Sequence, residues 1–265
     1  MLDRIMKRHR RPRVGYALGG GAVRGAAHVG FLSVFRDAGI EPHCIAGTSA
    51  GAIVGALYAA GLSIEEMSAL ITNTGRQDLA SIAWRRGLSV LDATPLSQWI
   101  EQAIGDIEFD DLLIPLAAIA CNIVDGHEVV LREGPVVRAA VASAAIPGLF
   151  RPVAQGEMLL VDGGLVNNLP VSVARQMGAE IVVAVDLSPR MRRGHRPENL
   201  LDVVSASVNI AGSNTQVTAR KDADYLVQPD IERFSMWDFA KVPLIEQAGR
   251  EAALQVVDQV LLALE

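Results

Sequence analysis

The sequence predicts an α/β fold, with a mostly parallel sheet covered on both faces by helices. Short apolar runs alternate with segments of helical period along the 265 residues. The runs at 14–18, 43–46 and 158–161 each lead into a glycine-bearing loop, and loops after strands are where such sheets build their sites. Half of the chain is apolar, with 24 glycines and only 5% aromatics, which suits helices laid close on a sheet. That is enough apolar surface for one large core. The expected organisation is a basic tail over residues 1–12 and a single domain over 13–265.

Residues 14–18 read as a first strand running into Gly19-Gly20-Gly21. Residues 26–38 place His28, Val29, Phe31, Leu32, Val34 and Phe35 at helical spacing, and Gly39 stops the helix. A short strand at 43–46 precedes a helix of small residues at 50–60, which Gly61 ends. The next helix, 63–70, has Ser63 as N-cap and Glu66 three residues on, a capping box. The stretch 72–113 is less regular; it carries Trp84, Trp99 and a helix over 95–104, and could wall a pocket. Residues 116–124 form a strand, and Asp125-Gly126 turns it into a hairpin with 128–131. A helix over 135–145 has Pro135 at its first position, and the strand 158–161 ends at Asp162. Then come a helix at 171–177, a β-branched strand at 180–186, a long helix at 200–218, a short strand at 224–227 and a closing helix at 244–264. The segment 189–197, with four arginines, reads as a surface loop.

Charge and cysteine content narrow the classes. Cys44 and Cys121 each lie in an apolar run and read as buried thiols of a reducing, cytoplasmic compartment. No spacing of Cys and His suggests a metal site, and no cofactor is expected. Residues 1–13 carry a net +5 against −6 for the whole chain. No apolar stretch follows them, so they do not read as a secretory signal. They are either a solvated terminus or a patch drawn to anionic lipid headgroups, peripheral at the inner membrane. The acidic body disfavours nucleic acid. The longest apolar run, 50–62, falls short of the roughly 20 residues of a spanning helix.

Two motifs follow the first two strands. Gly47-Thr48-Ser49-Ala50-Gly51 has the G-x-S-x-G pattern of an elbow that exposes a nucleophilic serine. The bland alternative is a helix start with Ser49 as N-cap. Gly19-Gly20-Gly21-Ala22-Val23-Arg24-Gly25 is a loop whose amides could face an anion, with Arg24 adding charge or fixing the loop. Its rival is a dinucleotide-binding loop, but the third glycine of that pattern would fall on Arg24. Asp162-Gly163-Gly164 supplies a carboxylate, either a turn aspartate or a base for Ser49. Partial desolvation would raise its proton affinity. A histidine triad in the order Ser49, Asp162, His195 is a further reading, although Arg192, Arg193 and Arg196 would disfavour an imidazolium at 195. His28 could touch the site or pack within its helix.

Together these three motifs resemble those of the patatin-like phospholipases, in order, spacing and context. Ala142-Ser143-Ala144-Ala145-Ile146-Pro147 and Asn167-Asn168-Leu169-Pro170 agree with that resemblance, which spans about residues 13–190 and is closest to the compact bacterial members. It implies a three-layer α/β/α fold and a Ser–Asp dyad that hydrolyses lipid acyl esters without metal. Carried over, Ser49 is the nucleophile, Asp162 the base, and Gly19, Gly20, Gly21 and Arg24 the oxyanion hole, with Gly25, Gly47, Gly51, Gly163 and Gly164 shaping the motifs. The chain departs from the family at Leu18, where an aspartate is common, and at Val23, an extra residue before the arginine. The implied partner is a lipid or acyl-ester substrate. Phe234, Met236, Trp237 and Phe239, with Trp84 and Trp99, would suit a lipid interface if exposed together, or else cap the core. Two other classes stay open: a lipid-binding regulatory protein of the same fold with little turnover, and a soluble thioesterase or acyltransferase.

Overall fold

In the computed structural model, which describes residues 11–74, 93–188, 203, 206, 207, 210, 216–236 and 238–265, the apolar runs assemble into one sheet. Its strands are β1 (Val14–Leu18), β2 (Cys44–Thr48), β3 (Leu116–Asn122), β4 (Glu128–Leu131), β5 (Val153–Gln155), β6 (Met158–Asp162), β7 (Ile181–Val185) and β8 (Tyr225–Val227). The order is β5-β6-β3-β2-β1-β7-β8, with β4 also on β3. The run β3-β2-β1-β7-β8 is parallel, and β4, β5 and β6 pair antiparallel.

Every residue of β1, β2 and β3 is buried. Strands covered on both faces lose the polar–apolar alternation, which is why these runs are continuously apolar. Successive residues still point to opposite faces. Tyr16 and Leu18 enter one core with Phe31, Ile45, Leu57 and Ile245, whereas Ala17 enters the other with Ala46, Ile119, Leu169 and Val182. The first face is covered by α1 (Ala26–Asp37), α2 (Ala50–Ala59), α7 (Val242–Leu254) and α8 (Val257–Ala263). The second is covered by α6 (Val171–Gln176). The result is three layers. Further helices are α3 (Ile64–Thr74), α4 (Thr94–Ile104) and α5 (Val136–Ser143). Buried Tyr16 meets Phe31 and Phe35 edge-on, at 4.9 and 5.7 Å between centroids, and its hydroxyl donates to the Ile40 carbonyl at 2.6 Å.

The arrangement around β3 positions the site. Ala118 pairs with Gly47 of β2 and with Leu131 of β4, while Ala120 pairs with Asp162 of β6 and with Val129 of β4. A strand has two edges, so β4 fills one and β2 and β6 share the other. β2 runs parallel to β3 and β6 antiparallel, so the two approach head to head. Thr48 ends opposite Ile119 and Asp162 opposite Ala120. The carboxyl ends of two strands therefore meet along one neighbour's edge.

Some expectations change. The strand expected at 43–46 reaches Thr48, and β5, largely exposed and without an apolar run, is an addition to the expected strands. The closing helix is two helices, α7 beginning at Val242 and α8 beginning at Val257. A 3-10 turn, Ala22–Gly25, leads the glycine loop into α1. The residues 1–10 of the basic tail, Trp84, Trp237 and the arginines of 189–197 lie outside the described residues, as does most of 200–218. Both cysteines are buried free thiols. Among the described residues no helix is long and apolar enough to cross a membrane.

Helices α1 and α7 cross at two glycines. A Cβ at Gly249 would lie 2.0 Å from the Ala27 carbonyl oxygen, and one at Gly30 would lie 2.0 Å from that of Glu246. Gly249→Leu must push the helices apart. It should cost about 2 kcal/mol or more, a fall of about 4 °C or more in Tm by thermal unfolding; an unchanged Tm would contradict this packing.

Candidate active site

At the meeting point of β2 and β6 the chain turns sharply. Ser49 follows Thr48 with φ 53° and ψ −119°. For a residue with a side chain this backbone costs on the order of 1–3 kcal/mol, supplied by the surrounding packing. Gly51 makes the turn fit, since a Cβ there would lie 2.0 Å from the Leu18 carbonyl oxygen. The Ser49 side chain makes no N-cap bond to α2. Its Oγ instead donates to Asp162 Oδ2 at 2.6 Å, within a buried setting.

Asp162 uses its two oxygens differently. Oδ1 accepts from the Gly164 amide at 2.8 Å, the turn role, while Oδ2 accepts from Ser49. Burial pushes its carboxyl up from 3.8 to about 6, and the bonds from Ser49 and Gly164 pull the other way. The group is thus a stronger base than an ordinary aspartate and still ionised at neutral pH.

The glycine loop passes over this pair. A Cβ at Gly20 would lie 3.2 Å from Ser49 Cβ. Two of its amides are committed elsewhere: Gly19 N–H donates to Val185 O at 3.0 Å and Gly20 N–H to Asn168 O at 3.2 Å. Further on, Val23 N–H donates to Met236 O at 3.3 Å and Arg24 N–H to Gly21 O at 3.2 Å. The Gly21 and Ala22 amides have no acceptor among the described residues, and Ala22 takes a positive φ of 51°. Arg24 is buried, with Nε 3.5 Å from the Gly21 carbonyl oxygen. Burial lowers its guanidinium to about 10, opposed by nearby Asp186, so it keeps its charge at neutral pH.

His28 serves the loop and does not bond to the dyad. Its Nε2 lies 2.7 Å from the Gly19 carbonyl oxygen and must carry the proton to donate. Burial lowers the imidazole to about 4, so it is neutral, and Nδ1 has no partner among the described residues. His195 lies outside the described residues. Among the described residues no three His, Cys, Asp or Glu side chains group as metal ligands.

The structure also gives roles to residues with none in the sequence reading. The Thr48 hydroxyl donates to the Asn167 carbonyl at 2.8 Å, and Asn168 accepts from Gly20. The Asn167-Asn168 pair therefore ties the Asp162 turn to the elbow and the glycine loop. Of the aromatic stretch, Phe234 is buried and Phe239 packs on the core, while the Met236 carbonyl braces the loop at Val23. Trp99 also packs on the core. These described members cap the core.

The two shifted groups act on stability with opposite sign. Asp162 titrates higher folded than unfolded, so its contribution is full below pH 3.8 and is lost as pH rises through about 6. His28 titrates lower, so its contribution is full above pH 6.5 and is lost as pH falls through about 4. Asp162→Asn removes only the first. Relative to the unaltered chain, this variant should be more stable at pH 7 than at pH 4.5 by about 2 kcal/mol, read from urea midpoints. An equal difference at both pH values would show that Asp162 is not desolvated.

The chain is similar to known proteins in sequence and in fold. The patatin-like phospholipase family model matches residues 16–175. The chain is 34% identical over 181 residues to an uncharacterised NTE family protein of Mycobacterium tuberculosis, a match covering 67% of this chain and 49% of that protein. It is 32% identical over 186 residues to patatin-like phospholipase domain-containing protein 6 of Homo sapiens, covering 66% of this chain and 13% of that one. The chain thus spans about half the length of the mycobacterial relative and a small part of the human one. In fold it is similar to VipD from Legionella pneumophila, with TM-score 0.57 and 11% identity over 94% of this chain and 67% of that chain. With well over half of its residues matched by the model, the chain belongs to the patatin-like phospholipase family.

Proposed function

We propose that this chain is a serine acyl hydrolase that cleaves carboxylic esters of lipids through Ser49 and Asp162. The observation that carries the reading is the buried 2.6 Å bond from Ser49 Oγ to Asp162 Oδ2. A serine hydroxyl is a weak nucleophile until a base takes its proton. A carboxyl held near 6 is about 100-fold more basic than an unperturbed one, and it remains available above that pH.

The steps follow. Asp162 accepts the Ser49 proton as Oγ attacks the ester carbonyl carbon. The oxyanion faces the amides of Gly21 and Ala22 and that of Ala50 at the start of α2, where the helix end favours negative charge. The proton passes from Asp162 to the departing alkoxide, which leaves as an alcohol and gives an acyl-enzyme. Water, deprotonated by Asp162, attacks the acyl carbon, and the acid leaves as Ser49 regains its proton. In this scheme Gly19 and Gly20 shape the loop, with their amides spent on Val185 and Asn168, and Arg24 steadies Gly21 through its carbonyl. The lipid nature of the ester rests on membership of the phospholipase family.

Ser49→Ala and Asp162→Asn should each lower hydrolysis of a short-chain p-nitrophenyl ester by about 100-fold or more. A fluorophosphonate should label the unaltered chain at Ser49, which a binding protein without turnover would not allow. Full activity in either variant would end the proposal. The ionised carboxylate is the active form, so kcat/KM should climb with pH and reach half its plateau near 6. A midpoint near the ordinary 3.8 would show that the base is not buried Asp162.

A further inference from the structure

The segment from Ser143 to Ala145 holds both partners of the dyad by their main-chain amides. Ser143 is the last residue of α5 and is fully buried. Its Oγ accepts from the Ser49 amide at 2.9 Å and donates to the Ile119 carbonyl at 2.5 Å. Two residues on, the Ala145 carbonyl accepts from the Asp162 amide at 2.9 Å.

The β2–β3 ladder shows what the hydroxyl does. Ile45 N–H donates to the Pro115 carbonyl at 2.9 Å, and the strands stay in register to Thr48 opposite Ile119. In a parallel ladder the donors on one strand recur at every second residue. Carried forward four residues, the ladder would have Ser49 N–H donate directly to the Ile119 carbonyl. In the structure the Ser143 hydroxyl stands between these two groups and satisfies both. This is where the backbone leaves the sheet for φ 53°. A direct bond would hold Ser49 on the strand.

We infer that Ser143 is a positioning residue: its hydroxyl replaces the last ladder bond of β2, lifts Ser49 off the edge of β3 and aims its Oγ at Asp162. This rests on the reading of Ser49 as nucleophile. Ser143 does not touch the substrate. Two residues on, the Ala145 carbonyl holds the Asp162 amide, so one short turn braces the main chain of both residues that the β3 register brings together.

The test uses the full chain carrying Ser143→Ala or Ser143→Cys. The second places a weakly bonding thiol between the same two groups, so it is the milder change should the unpaired Ser49 amide and Ile119 carbonyl unfold the first. In the folded variants, fluorophosphonate labelling at Ser49 and kcat should fall about 10-fold or more, since small misplacements at a reacting centre carry such costs. KM should stay within about threefold, because no substrate contact is removed. The midpoint of the pH–rate profile should rise, because the Ser49 bond that holds the Asp162 carboxyl down is weakened. A merely structural role would lower Tm and leave labelling rate and pH midpoint unchanged in the folded fraction. That result, or an unaltered rate in Ser143→Cys, overturns the inference. Failure of the underlying reading looks different: the unaltered chain would not be labelled at Ser49, and Ser49→Ala would keep its activity.

Discussion

Two strands of opposite direction share one edge of β3, and the site depends on that constraint. Ile119 and Ala120 are adjacent residues, so their partners Thr48 and Asp162 come within one residue step of each other. A strand rises about 3.3 Å per residue. The serine after Thr48 and the carboxylate of Asp162 therefore face each other although 113 residues separate them in the chain. In a purely parallel sheet the ends of neighbouring strands lie side by side; antiparallel β6 places them end to end. The short distance between serine and aspartate is thus set by β3 and its register.

A buried polar pair requires further support, because unpaired polar groups cost free energy away from water. The surroundings provide it group by group. The Asp162 oxygens are divided between Ser49 and Gly164, the Thr48 hydroxyl donates to the Asn167 carbonyl, and the Gly19 carbonyl accepts from His28 Nε2–H. The same burial moves three ionisable groups. The Asp162 carboxyl goes up, the His28 imidazole goes down, and the Arg24 guanidinium goes down while keeping its charge. At neutral pH the site therefore holds an ionised carboxylate, a neutral imidazole bonded to the loop, and a buried cation near Asp186.

Much of the parallel half was legible in the sequence. β1, β2 and β7 are continuous apolar runs, a local signal that both faces are covered, and glycine loops follow the first two. The G-x-S-x-G elbow and the aspartate before Gly163-Gly164 could be read from residue type and order alone. β5 could not, since Val153-Ala154-Gln155 is largely exposed and forms no apolar run, whereas the equally short β8, Tyr225-Leu226-Val227, does. The break between α7 and α8 has no glycine or proline to mark it. Ser143 belonged to a recognisable segment, but nothing local showed that its hydroxyl meets the Ser49 amide.

By itself the sequence determined which chemical groups are present and which strand each follows: a hydroxyl after β2, a carboxylate ending β6, a glycine loop after β1. Short-range sterics and hydrophobic period dictate those features, and both are written in neighbouring residues. Tertiary structure decided which loop amides are spent, because their acceptors, Val185 and Asn168, come from distant parts of the chain. It also decided how basic Asp162 is, because desolvation depends on everything packed around a group. Pairing and burial are properties of the assembled sheet, and no single stretch of residues contains them.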